Sequence, residues 1–312
     1  MSQMFRILVV RLGSMGDVIH ALPAVASLKH SFPHSRLSWV IKPRWAPLLE
    51  GNPFVDEIIP FTRSAREILA TRRLLRRERF ELAVDLQGLI QSALVAASAK
   101  ADKIVGLARS QARESFAAMF YSSTVRTSAV HRVDRYLELV AAAGASNLLR
   151  TFPLPPGKPE GTLPDEPFVL ACPLAGWGSK QWPMEHYTEL ARRLKLPLVV
   201  NGPPDSEGVL RQIQGAHVHL SGLEGLIDAT RRAQAIVGVD SGPVHLAAAL
   251  GKPGVAIYGP TDPASHGPYG GTLHVLRSSS AITSYKRRAA DPGSMRAVSV
   301  AEVLEALEMC PA

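Results

Sequence analysis

Short, almost unbroken apolar runs punctuate the chain, and between them apolar residues return at helical spacing. Phe5–Val10 (FRILVV) is the first run, and its apolar residues on both faces suit a parallel strand covered on both sides. Arg36–Pro43 (RLSWVIKP), Asp56–Phe61 (DEIIPF) and Phe80–Gly88 (FELAVDLQG) repeat the signal. After residue 167 it resumes in Phe168–Pro173 (FVLACP), Leu196–Gly202 (LPLVVNG), Ala235–Asp240 (AIVGVD) and Gly254–Gly259 (GVAIYG). Helices are predicted from Asp17 to about His30, over Ala65–Arg79, Glu185–Leu194 and Pro243–Gly251, and from Ser299 onward. Pro23 lacks a backbone donor and predicts a kink or restart in the first of these. Ser299-Val-Ala-Glu302 spells a capping box for the last. Thr151–Pro167, with six prolines, reads as a linker. Strands alternating with helices on either side of a linker predict a bilobal α/β protein with parallel sheets, whose ligands bind at the carboxyl ends of the strands.

Composition narrows the partners. Aromatic residues make up 6% of the chain, too few for a base-stacking platform, and no nucleic-acid-binding motif is present. The net charge of +8 nonetheless calls for an anionic partner, such as a phosphorylated substrate or an acidic lipid surface. Basic residues cluster in Arg63–Arg79 and Lys286–Arg288. The first cluster holds seven arginines against two acidic residues. Arg63 and Arg66, three apart, can point together, whereas Arg72, Arg73, Arg76, Arg77 and Arg79 read as facing lipid head groups or solvent. Two cysteines exclude a disulfide framework and a four-thiolate zinc site, and Cys172 reads as a core residue. Neither a leader nor a membrane span is apparent, so a cytoplasmic location is expected.

Three motifs fall directly after predicted strands. Gly13-Ser14-Met15-Gly16-Asp17 follows the first and opens a helix, where small residues let a ligand approach free backbone N–H groups. It lacks the G-x-G-x-x-G fingerprint, so a nicotinamide cofactor is unsupported. Asp17 reads either as a general base or as a first-turn carboxylate favoured by the helix dipole. In Gly176–Pro183 (GWGSKQWP), Lys180 reads as a phosphate partner or as a surface lysine. In GVDSGPVHL, Asp240 ends a strand and Ser241-Gly242 opens a helix able to hold a diphosphate. His245, a turn further on, reads as a site residue or a structural histidine. No third ligand is spaced to complete a metal site with Asp240 and His245, and no Asp-x-Asp pair is present, so no metal is expected.

Taken with these motifs, RLGSMGDVIHALPA, DLQGLIQSALVA, KQWP, GVDSGPVHLAAALGKPGVAIYGPTDP and Tyr285-Lys286-Arg287 resemble the signatures of the ADP-heptose:lipopolysaccharide heptosyltransferases of glycosyltransferase family 9, most closely the heptosyltransferase I type. The similarity spans most of the chain and is weakest over residues 64–79 and 278–296. It implies a GT-B fold: an acceptor-binding Rossmann-like lobe (1–155), a nucleotide-sugar lobe (165–290) across a cleft from it, and a last helix (291–312) crossing back. The activity implied is inverting transfer of L-glycero-D-manno-heptose from ADP-heptose to a Kdo residue of Kdo-lipid A. It would need no cofactor and would occur peripherally on the cytoplasmic face of the inner membrane. By position in the motifs, Asp17 is then the base and Lys180 the partner of the donor diphosphate. Asp240, Ser241, Gly242 and His245 line the ADP site, and Glu207 is favoured over Ser206 for the ribose. Arg63, Arg66, Arg113 and His131 are assigned to the acceptor's carboxylates. Serines and alanines stand where many relatives carry cysteines in 278–296, so any role of those thiols is absent. The alternatives are heptosyltransferase II, another ADP-sugar transferase of this fold, or a nucleotide-binding regulator without turnover, against which an intact Asp17 and Lys180 argue. An aspartate with an ordinary pKa of about 3.9 would be ionised at neutral pH.

Overall fold

The computed structural model describes residues 4–62, 64–284 and 293–310, and the chain divides into two compact units, Met1–Pro155 and Pro156–Ala312. The first unit contains, in chain order, β1 (Arg6–Val10), α1 (Met15–Ser31), β2 (Arg36–Ile41), β3 (Glu57–Pro60), α2 (Ala65–Arg77), β4 (Leu82–Asp85), α3 (Ile90–Ser98), β5 (Lys103–Leu107), β6 (Ser123–Val125) and α4 (Arg132–Ala143). Its six strands are all parallel, in the order β3-β2-β1-β4-β5-β6. Leu8 and Val10 face one side of the sheet, where Leu75 of α2 and Val95 and Ala96 of α3 close a core over them. Ile7 and Val9, also fully buried, point to the other side by the alternation of a strand. There α1 and α4 pack against each other and α4 lies on β4 and β5.

Two local expectations are corrected. The first helix runs unbroken through Pro23 from Met15 to Ser31. Pro23 removes one bond, the N–H that the Ile19 carbonyl would accept, and the turns on either side continue. The Ser27 hydroxyl donates to the Pro23 carbonyl at 2.7 Å and accepts from the Leu149 N–H at 2.9 Å. The strand expected over Phe80–Gly88 stops at Asp85. The Asp85 carboxylate accepts the N–H groups of Gln87 (2.8 Å) and Gly88 (3.3 Å) and so turns the chain out of the sheet.

The second unit contains β7 (Val169–Cys172), α5 (Met184–Arg193), β8 (Leu198–Gly202), α6 (Glu207–Leu210), β9 (His217–Leu220), α7 (Leu223–Arg232), β10 (Ala235–Val239), α8 (Gly242–Ala249), β11 (Gly254–Tyr258), α9 (Pro263–His266), β12 (Leu273–Arg277) and α10 (Val300–Glu308). Its parallel sheet has the order β12-β11-β10-β7-β8-β9. Numbered from the first strand of each unit, both sheets share the doubly wound order, which reverses direction between the first strand and the fourth. Cys172 is buried, and burial pushes its thiol up to about 12. The α10 helix begins in the expected capping box, Ser299 and Glu302 bonding to each other's backbone N–H, and packs on α5 and β11 of this unit.

The segment read as a linker is fastened to the second unit at its far end. The ring Nε2 of His219 lies 2.6 Å from the Glu160 carbonyl, and that of His217 lies 2.8 Å from the Thr162 carbonyl. The Glu160 carboxylate accepts the N–H groups of Gly222 (2.5 Å) and Gly225 (3.2 Å), capping α7 from outside the helix. Among the described residues no helix is long and apolar enough to cross a membrane.

Candidate active site

In each unit the reversal of strand order brings together the loops that follow the first and fourth strands, which is where open α/β sheets bind ligands. In the first unit these loops meet at Arg11, which is only 1% exposed. Its Nη1 donates to the Leu86 carbonyl at 3.0 Å, and its Nη2 lies 2.6 Å from Asp17 Oδ1. The Leu12 N–H donates to Gln87 Oε1 at 2.8 Å, a second tie between the loops. Asp17 Oδ2 accepts the Ser14 N–H (3.1 Å) and hydroxyl (2.9 Å). Gly13 takes φ +139°, and a Cβ there would lie 2.5 Å from Trp45 Nε1, so only glycine fits this turn.

Charge in this cluster is decided at Asp17. Burial alone would raise its carboxyl. Arg11, then Arg132, the Ser14 N–H and His20 outweigh burial and hold it well below the usual carboxylate range. The unshifted value expected from sequence is therefore corrected: Asp17 is ionised, with a lower proton affinity than an ordinary aspartate. Beneath the loops, Asp85 is fully buried, and burial raises its carboxyl despite hydroxyl donors from Tyr121 (2.7 Å) and Ser92 (2.8 Å) and the two backbone donors of its turn.

The residues that the sequence resemblance assigns to an acceptor divide. His131 caps α4 through Nδ1, and its ring meets that of His20 edge-on with centroids 5.3 Å apart, which places it beside the Asp17 cluster. Arg113 is exposed, with its backbone nitrogen 3.3 Å from where a Gly88 Cβ would stand. Arg66 is exposed near the start of α2, and no described contact joins it to the cluster. Arg63, the Lys286–Arg288 run and the Tyr285-Lys286-Arg287 triplet lie outside the described residues.

In the second unit Lys180, in a single helical turn after β7, lies 2.5 Å from Asp240 Oδ2 and 4.5 Å from the centre of the Trp177 ring. The Thr261 hydroxyl donates to the same Asp240 oxygen, and His245 Nε2 lies 3.9 Å from Oδ1. Ser241 is the N-cap of α8, Gly242 is its first residue, and the Ser241 hydroxyl is buried with no hydrogen-bond partner among the described residues. Lys180, Asp240, Ser241, Gly242 and His245 are thus brought together. Glu207 stands apart on α6, half exposed and paired with Arg211 at 2.6 Å, while the Ser206 hydroxyl is taken by the Pro203 carbonyl at 2.6 Å. Among the described residues no group of three His, Cys, Asp or Glu could hold a metal ion. Sequence reasoning gave no role to Arg11, Arg132, Gln87 or Thr261. The signal for Arg11 was a charge directly after a strand buried on both faces, with an acid six residues on.

The model of glycosyltransferase family 9 (heptosyltransferase) matches residues 68–292. Lipopolysaccharide heptosyltransferase 1 of Escherichia coli strain K12 is 30% identical over 309 residues, spanning 88% of this chain and 93% of that protein. Lipopolysaccharide heptosyltransferase 2 of Salmonella typhimurium strain LT2 is 29% identical, spanning 90% of each. The solved structure of the E. coli heptosyltransferase WaaC with ADP matches with a TM-score of 0.79 at 25% identity, over 97% of this chain and 99% of that one. The two Rossmann-like units are those of a GT-B glycosyltransferase. By its sequence along most of its length and by its fold, the chain belongs to glycosyltransferase family 9, the heptosyltransferase family.

Proposed function

We propose that the protein transfers L-glycero-D-manno-heptose from ADP-heptose to a Kdo residue of Kdo-lipid A, with inversion at the anomeric carbon. The observation that carries this reading is an ionised aspartate, Asp17, held in the first turn of α1, after the central strand β1, by a buried arginine. Asp17 takes the proton of the acceptor hydroxyl as that oxygen attacks the anomeric carbon, a contribution of roughly 10²–10⁴-fold. The bond from that carbon to ADP breaks, and negative charge grows on the β-phosphate. Lys180 and the free N–H groups at the start of α8 stabilise that charge. The unpartnered Ser241 hydroxyl supplies a further donor, and Glu207 serves the ribose hydroxyls. His131, Arg66, Arg113 and Arg63 receive the acceptor's carboxylates, and the His131 ring lies against that of His20, one of the charges acting on Asp17.

ADP release measured with ADP-heptose and two acceptors tests this reading. The expected result is turnover with Kdo-lipid A and little with the same acceptor already carrying one heptose. Turnover with the heptosylated acceptor alone would move the protein to the heptosyltransferase II type. No turnover with either would overturn the donor or the acceptor assignment.

A further inference from the structure

The α2 and α3 helices and the 3-10 turn Ser115–Phe120 form one layer over the first sheet, α3 packing against both of the others. This layer exposes an unusual share of large apolar side chains. Ile68 and Leu69 on α2, Ile90 and Leu94 on α3, and Phe116 and Met119 on the turn are between 37% and 75% exposed. A groove of about 330 Å³ runs between the two helices, lined by Ile68, Leu75, Leu94 and Val95, with Arg72 beside them. The α3 helix, Ile90–Ser98, carries no charged residue, which is unexpected for a helix that faces solvent. Of the α2 residues whose side chains are described, only Thr71 and Leu75 are buried, and Arg66, Arg72, Arg73, Arg76 and Arg77 are all exposed. Arg109 adds a charge 5.6 Å from the centre of the Phe116 ring.

An apolar stripe bordered by arginines suits a surface that is apolar inside and anionic outside. A second copy of the chain fits poorly, because a two-fold contact here would bring arginine-rich helices of the same sign together. A bilayer with acidic lipids meets both requirements. Arginine stems lie along apolar surface while their heads reach phosphate, and the side chains of α3 and the turn enter the acyl boundary. We propose that this layer is a docking surface for an anionic lipid bilayer, with one lipid acyl chain entering the α2–α3 groove. The proposal concerns where the protein rests and does not depend on the identity of the sugar transferred.

Co-sedimentation with vesicles of equimolar phosphatidylglycerol and phosphatidylcholine, and with phosphatidylcholine alone, tests it. The protein should pellet with the first and much less with the second. Leu94→Glu combined with Met119→Glu should weaken binding at least about tenfold, with ADP affinity and melting temperature unchanged. Arg72→Gln combined with Arg76→Gln should weaken binding and flatten its dependence on salt. Should the glutamates lower the melting temperature, Leu94→Ser with Met119→Ser repeats the measurement without added charge. The proposal is overturned if the protein ignores anionic vesicles or if the apolar variants bind them as well as the parent. A dimer in solution that the apolar variants dissolve would equally overturn it, by showing a second copy as the occupant.

Discussion

Asp17 faces two arginines and the paired donors of Ser14, so its readiness to take a proton is set by how firmly they hold its charge. Asp17→Asn should cut kcat by roughly 10²-fold or more while leaving ADP affinity near that of the parent, as loss of a base does. Near-full turnover would remove Asp17 from the chemistry. Arg11 sets the working range. Its charge lowers the Asp17 carboxyl, so the parent's base stays ionised to a pH below the usual aspartate range. In Arg11→Met the largest of the charges that oppose burial is gone while Arg132, Ser14 and His20 remain, so the carboxyl rises from its position in the parent and the acid limb of the kcat/KM profile should move upward. A limb that stays put would show that Arg11 serves the fold alone; the melting temperature of the variant reports that separately. Asp17, Lys180, Asp240 and His245 were legible in the sequence because each sits in a glycine-containing motif after a strand. Arg11 was not, because an arginine after an apolar run reads as the point where the strand meets water. Here it is buried against Leu86, Asp17 and the Tyr136 ring. Thr261 lay inside a quoted motif, but its bond to Asp240 joins residues 21 apart and needs the sheet to form.

At the scale of elements, the strands β1, β7, β10 and β11 were readable because, Arg6 at the start of β1 apart, their positions are buried and almost wholly apolar. The edge and near-edge strands β5, β6, β9 and β12 went unread. Their sequences, KIVGL, STV, HVHL and LHVLR, are short and carry polar residues on half-exposed positions. The α7 helix shows a related gap. Its N-cap is Gly222, which has no side chain to offer, and the capping carboxylate comes from Glu160, 62 residues earlier. Composition marks Glu160 only as one acid in a proline-rich segment. Glu160→Ala should cost about 1 kcal/mol, the usual worth of a helix cap, and lower the melting temperature without changing kcat. An unchanged melting temperature would mean that water replaces the carboxylate at no cost.

At the scale of the molecule, each unit has its own sheet and its own cluster, so a ligand held by one should stabilise that one. ADP at a hundred times its Kd should add about 2.7 kcal/mol to the unfolding of the second unit. Calorimetry should show that transition rising while the first stays in place. In Lys180→Ala the rise should shrink, with a higher KM for the nucleotide sugar and a lower kcat. Equal movement of both transitions would show that the two units melt together. The division into two units was legible because prolines crowd the segment between them, whereas the attachment of Glu160 to the second unit depends on contacts distant in sequence. The pairing of Lys180 with Asp240 has a consequence for recognition. The resting lysine already has an internal counter-ion, so in the proposed role an arriving diphosphate would exchange one anion for another, as on an ion-exchange resin. Adenosine, with the same base and ribose but no charge to offer, gives the lysine no reason to leave its aspartate. With Lys180 as the proposed partner of the donor, the site would sort its visitors by charge before it sorts them by shape.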